Sequence, residues 1–423
     1  MPRLAIRCCL CSLALIALAV GTAQAAKEKG KAMSYGEARE FLAKRTKVIE
    51  LSNDDGARVA VTPEWQGRVM TSTCDGPDGT SFGFINRKFI HEYIDAGKEN
   101  PHFNNIGAEE RLWLCPEGGQ YSLWFKHGAK QELANWFTPP AFNVGAWKVT
   151  SATKDSVEMA VPMKFENTAE TTFSLDVSRK VHLLSADDFE KLFGAAAAKM
   201  AAEPGVKMVA YETTNQITNR GDDFSKEKGL CSIWILGMMN VGPQTIIMVP
   251  YKPGPESELG KVVESSYFGK VPADRLKVTP EAVLFRADGK YRSKIGTSQQ
   301  RARNVLGSID FEGGVLTLVN FTMPDDPTKT NYVNNLWKVP QEHPFNGDVA
   351  NSYNDGPNDL GAPSSMFYEI ESIAPALVLK SGESLAHSHR TIHIKADMET
   401  LRKLAKETLG VDLDAVRKVM LSE

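Results

Sequence analysis

From Val48 onward the chain runs in short stretches rich in β-branched, aliphatic and aromatic residues, broken by glycine, asparagine, aspartate and proline. Arg58–Thr62, Ser156–Phe165, Ser232–Leu236, Thr245–Pro250, Val315–Phe321 and Met366–Ile373 are such stretches. In several of them apolar and polar positions alternate with a period of two, which predicts strands with one face on a core. Runs of this kind recurring over hundreds of residues predict an all-β sandwich or barrel. Three regions read as helix instead. Ser34 and Glu37 have capping-box spacing and start a helix to about Lys44. Ser185, Asp187 and Asp188 open an alanine-rich run to about Glu203. Met398–Leu421 spaces Leu401, Leu404, Leu409, Leu413 and Val416 as one apolar stripe.

The first residues have another pattern. Arg3 and Arg7 precede an apolar run from Leu10 to Val20, and Ala23-Gln24-Ala25 offers small residues for a signal peptidase. The run is short for a membrane span, which needs roughly 20 apolar residues. The expected organisation is therefore a leader at 1–25, a linker and short helix at 26–47, one β body at 48–396 and a helical segment at 397–423. The expected location is periplasmic or secreted, with no membrane span in the mature chain. A formal charge of −3 gives no basic excess, so nucleic acid is not an expected partner. Of six cysteines, Cys74, Cys115 and Cys231 lie beyond the leader, with no CxxC pair, and read as buried apolar residues rather than a disulfide scaffold.

Three clusters carry unusual chemistry. Between Gly107 and Gly128 lie Arg111, Trp113, Glu117, Trp124 and His127, with Gly118 and Gly119 permitting close approach or unusual backbone angles. Carboxylates and arginine can bond sugar hydroxyls, and an indole face can cover a pyranose. In Met366–Ser372 the alternation puts Phe367, Glu369 and Glu371 on one face and Met366, Tyr368 and Ile370 on the other. A following strand, Leu385 to Ile394, aligns His387, His389, Thr391 and His393. If the two strands are neighbours, carboxylates facing imidazoles could exchange protons near neutral pH. His387 and His389 could instead hold a metal, the one cofactor option the residues offer. The third cluster, Gly347 to Pro357, contributes Asn351 and Asp355 as hydroxyl-binding groups, with calcium as a lesser option.

These landmarks, together with Gly67–Thr73, Trp113–Gln120, Ser232–Met238, Gly347–Pro357 and Phe367–Ser372, resemble an uncharacterised bacterial secreted family with a galactose-mutarotase-like fold. The resemblance implies a β-supersandwich whose concave face binds carbohydrate; similarity to aldose 1-epimerases is remote. Those enzymes open a hemiacetal with a late-chain glutamate as base and a histidine as acid. Here Gln216 stands where the central histidine would be sought. The reading is an exported carbohydrate-active protein with Glu371 or Glu369 as base and His389 or His387 as acid. Arg111, Trp113, Glu117, Trp124, His127, Asn351 and Asp355 would contact the sugar. A non-catalytic glycan-binding module and a metal-dependent sugar-processing enzyme are the alternatives.

Overall fold

The computed structural model describes residues 33–421 apart from 101 and 144. The leader read at residues 1–25 lies outside them. Among the described residues no helix is long and apolar enough to cross a membrane.

The strands are β1 (Ile49–Ser52), β2 (Arg58–Thr62), β3 (Arg68–Thr73), β4 (Arg111–Cys115), β5 (Lys148–Ala152), β6 (Ser156–Glu166), β7 (Thr172–Leu183), β8 (Lys207–Asn219) and β9 (Ser232–Asn240). They continue as β10 (Thr245–Pro250), β11 (Leu276–Val278), β12 (Ala282–Arg286), β13 (Ser293–Ser298), β14 (Val305–Asp310), β15 (Val315–Phe321), β16 (Asp348–Asn354), β17 (Phe367–Ile373) and β18 (Ser384–Lys395). A ten-stranded sheet has the order β11-β12-β10-β14-β15-β18-β8-β7-β6-β5. A five-stranded sheet has the order β13-β16-β17-β9-β4, and β1-β2-β3 form a small third sheet. All paired strands run antiparallel. The expected all-β architecture of large sheets with few helices is what the chain forms.

The main core lies between the two large sheets. Ile233, Ile235 and Ile370 of the five-stranded sheet belong to one buried cluster with Val177, Ile217, Val319 and Phe321 of the ten-stranded sheet. The opposite face of the ten-stranded sheet is covered by helices, α1 being Tyr35–Ala43, α2 Ala186–Ala201, α3 Met398–Leu409 and α4 Leu413–Leu421. Of these, α2, α3 and α4 supply that cover. Leu401, Leu404, Leu409, Leu413 and Val416 bury against Ile246, Leu284, Leu316, Ile392 and Ile394. The amphipathic stripe read from the sequence is thus a packing face, broken in two at Gly410, which adopts φ 73°. Ser34 and Glu37 close the capping box at the start of α1, as their spacing predicts. Cys74, Cys115 and Cys231 are buried free thiols.

The burial pattern of the strands locates the site. In β7 buried and exposed positions alternate, whereas all residues of β4 and β17 are buried. The outer face of the five-stranded sheet is therefore not open surface. Segments at residues 86–100, 102–105, 133–136, 268, 337 and 356–365 close over it and leave a cleft.

Candidate functional site

Registers determine what that outer face carries. Lys294, Tyr353 and Glu369 are cross-strand partners on β13, β16 and β17. Asn351, Glu371, Leu236 and Arg111 form the next row, and Trp234 pairs with Trp113 beyond it. Directly opposed residues share a face. Two ion pairs then run diagonally between the rows: Arg111 Nη2 donates to Glu369 Oε1 at 2.8 Å, and Lys294 Nζ to Glu371 Oε2 at 3.0 Å. Trp234 Nε1 also donates to Glu371 Oε2, at 2.8 Å.

The cleft above this floor has a volume of about 540 Å³, the scale of a small-ligand pocket. Trp136, Trp337, Phe268 and Phe367 contribute aromatic surface to it. Glu117 reaches the wall from the loop after β4, where Trp136 Nε1 donates to its Oε1 at 3.1 Å. Gly118 lets that loop pass against the Leu336 backbone, where a Cβ would lie 2.3 Å from the carbonyl oxygen, and Gly119 takes φ 83°. At the other rim Asp355 accepts from Tyr353 Oη at 3.1 Å and from the backbone N–H of Met366 at 3.2 Å. It thereby ties down the 356–365 loop. Arg292 stacks its guanidinium over the Phe268 ring at 3.7 Å.

Burial sets the electrostatics of the floor. It pushes the Glu369 carboxyl up to about 7, against the pull of Arg111. Burial also raises Glu117, with Lys294 drawing it back and Glu371 adding to the rise. Burial alone would lower Lys294, but the charges of Glu371 and Glu117 outweigh it and hold the ammonium above its ordinary range. The cleft therefore contains two carboxyls that burial raises above their ordinary range and an amine whose charged form the neighbouring carboxylates favour. That is the equipment of acid–base chemistry.

Residues 33–420 match the family model of DUF6786, described as a family of unknown function. The chain is a DUF6786 protein. It is similar in structure to a putative aldose 1-epimerase of Escherichia coli K12, with 13% identity, TM-score 0.45, and coverage of 83% of this chain and 99% of that one. For a putative aldose 1-epimerase of Klebsiella pneumoniae the values are 10%, 0.45, 89% and 84%. For a galactose mutarotase-like protein of Lactobacillus casei they are 10%, 0.41, 82% and 100%. No curated protein matches the sequence.

In this DUF6786 chain the fold gathers Arg111, Trp113, Glu117, Asp355 and Glu369 in one cleft. Trp113 is nevertheless buried, with the Arg111 guanidinium over its ring at 4.1 Å, so it seats the arginine. Glu371 lies on the same face but is fully buried beneath Lys294 and Trp234. Asn351 is buried beside it, donating to Tyr267 Oη at 3.1 Å and to the Ile295 carbonyl at 3.2 Å. Trp124 does not line the cleft: it packs under Trp113 at 4.4 Å between centroids and donates its Nε1 to the Leu114 carbonyl. His127 is exposed elsewhere, its Nδ1 2.8 Å from the Thr168 carbonyl.

The histidine ladder is the main correction. Its alternation is as read, but β17 and β18 belong to different sheets and are not paired neighbours. The ladder faces the inner side of β17, where Ser372 Oγ lies 2.8 Å from both His387 Nε2 and His389 Nδ1. Glu369 and Glu371 point the opposite way. The two histidines are thus separated from the carboxylates by the sheet itself. Burial holds His387 down at about 3 and His389 well below its ordinary range, so both are neutral. Among the described residues no cluster of three or more histidine, cysteine, aspartate or glutamate side chains is arranged to hold a metal.

Lys294, Arg292, Trp136 and Phe268 were not singled out from the sequence. Lys294 left one signal, a cation at the second position of a short strand. Its partner Glu371 is 77 residues away, and only the sheet order brings them together.

Proposed function

We propose that the cleft on the outer face of the five-stranded sheet binds a sugar and performs acid–base chemistry at its hemiacetal. The observation that carries this reading is geometric: Glu369 and Glu117 line one aromatic-walled cleft beside Arg111 and Lys294, and burial raises both carboxyls above their ordinary range. Glu369 would take the proton of the anomeric hydroxyl while Glu117, whose carboxyl burial raises, gives one to the ring oxygen. The ring C–O bond breaks as the C=O bond forms, and closure onto the other face yields the other anomer. Glu371 acts as a positioning residue, holding Lys294 and Trp234. The leader pattern supports an exported protein working in the periplasm or outside the cell.

A glycan-binding module without turnover is the second reading. It is favoured by the fact that the cleft carboxylates are already engaged: Glu369 by Arg111, Glu117 by Trp136 and Asp355 by the rim loop. Proton NMR of freshly dissolved single-anomer sugars separates the two. Accelerated interconversion that Glu369→Gln abolishes is expected. Line broadening without acceleration would establish the binding module, and unaltered spectra for every sugar would overturn both readings.

A further inference from the structure

A second cavity adjoins the cleft. Its volume is about 570 Å³, against about 540 Å³ for the cleft, and Asn100, His102 and Trp136 line both. Each is the scale of a small-ligand pocket in its own right. The boundary between them is made by two chain segments bonded to each other. His102 Nδ1 lies 2.8 Å from the Trp136 carbonyl oxygen, and the Thr138 N–H donates to the His102 carbonyl at 2.7 Å. His102 is exposed on that boundary, so a ligand lying over it would reach both cavities.

The two cavities differ in chemistry. Glu117 and Glu369 line the cleft and not its neighbour. The second cavity offers amides beside an aromatic ring: Asn135, Asn143 and Phe137 line it, and Glu99 and Lys126 add opposite charges. Asn143 Oδ1 accepts from the Asn104 N–H at 2.7 Å, and Asn135 Nδ2 donates to the Lys130 carbonyl at 2.9 Å. Asn143 Nδ2 and Asn135 Oδ1 are left without a partner among the described residues, one a donor and the other an acceptor for a hydroxyl. The second cavity is thus equipped to bind a sugar unit and not to transform it.

We propose that the occupant is an oligosaccharide, its reducing-end unit over Glu369 and Glu117 and its next units crossing His102 into the second cavity. The inference rests on the sugar-site reading and specifies its substrate class. Ring opening needs a free hemiacetal, which an oligosaccharide has only at its reducing end, so that unit belongs in the cavity that holds the carboxyls. The remaining units supply binding that holds the reacting unit in place.

Calorimetric titration of the full chain with the mono-, di- and tetrasaccharides of the malto, cello, manno and galacto series tests this. In at least one series the tetrasaccharide is expected to bind about tenfold more tightly than its monosaccharide, the worth of one or two added neutral hydrogen bonds. The same tetrasaccharide reduced to its alditol has no hemiacetal ring to place over Glu369, and is expected to lose about tenfold. Phe137→Ala alters a ring that lines the second cavity and not the cleft. It is expected to remove most of the length dependence and leave monosaccharide affinity unchanged. Asn135→Ala, at an exposed side chain where folding is not at stake, is expected to remove about threefold of it. Equal affinity for monosaccharide and tetrasaccharide in every series would overturn the oligosaccharide class and leave the sugar site standing. A length dependence that both variants keep would overturn the placement in the second cavity. Undiminished binding of the alditol would overturn the reducing-end orientation. No heat with any of the sugars would overturn the sugar site as well.

Discussion

Glu110 and Arg111 are consecutive residues, and the pleat sends them to opposite sides of the five-stranded sheet. Each founds an arginine–glutamate pair. On the inner side Arg179 Nη2 donates to Glu110 at 2.9 Å, with both side chains 0% exposed. On the outer side Arg111 donates to Glu369 at 2.8 Å, with side chains 4% and 8% exposed. Burial pushes both glutamates up to about 7. By titration alone the two pairs are indistinguishable. The inner pair is sealed among Thr213, Asn215 and the facing sheet, whereas the outer pair lines a cleft of about 540 Å³. A perturbed carboxyl therefore marks desolvation, and only access turns desolvation into a site.

Removing the arginine from each pair gives the largest expected contrast. Arg179→Ala strands Glu110 between two sheets, and should cost about 3–5 kcal/mol of unfolding free energy at pH 8. Arg111→Ala strands Glu369 beside a cleft that water can enter, and should cost well under that. Urea unfolding of both variants measures the difference. Equal losses would mean that the cleft floor is as dry as the core.

The next largest effect is a pH dependence. Glu110 has an ordinary carboxyl value of 4.5 and about 7 in the folded chain. The native state therefore binds the extra proton between those values, and stability falls as pH rises through that window. The size of this contribution is about 3 kcal/mol. The neutral buried histidines act in the opposite sense, opposing folding as pH falls below their unfolded value near 6.5. Glu110→Gln isolates the carboxyl: its stability relative to wild type should rise by about 3 kcal/mol from pH 4.5 to 8. Parallel pH curves for the two proteins would show that Glu110 is not the group responsible.

The alternation of residues 367–372 and 385–394 was enough to assign their side chains to the correct face of each strand, whereas Met366, read with Tyr368 and Ile370, stands before β17 at φ 68° and is exposed. The alternation could not say which sheet each strand joins. Period two is a property of one strand, whereas the order β13-β16-β17-β9-β4 depends on pairings between residues as distant in the chain as Trp234 and Ile373. That is why the Glu face and the His face, both correctly read, were expected to meet and do not. Local signals fared better where the physics is local. The Ser34 and Ser185 caps, the stripe of Leu401 to Val416 and the glycines beside Glu117 all do what their spacing implies. Trp124 misled because an indole in a polar stretch looks the same in sequence whether its ring faces a cleft or a core. Lys294 and Arg292 were missed because a lone cation gains meaning only from what lies across the sheet.

The smallest effect discriminates the two faces most finely. Ser372 adjoins Glu371 in sequence, yet its hydroxyl is shared by His387 and His389 on the inner side. The hydroxyl has one hydrogen to give, so at most one imidazole accepts from it and at least one donates to it, which couples the two tautomers. Ser372→Ala removes both bonds and leaves two buried ring nitrogens without that partner, at a cost of about 1–3 kcal/mol. Because the hydroxyl points away from the cleft, ligand affinity should not change. Urea unfolding and calorimetric titration of the same variant provide both readings. A tenfold loss of affinity at unchanged stability would show that the inner network sets the geometry of Glu369 through the strand they share. Lost stability with affinity intact would leave the histidines as supports of the fold.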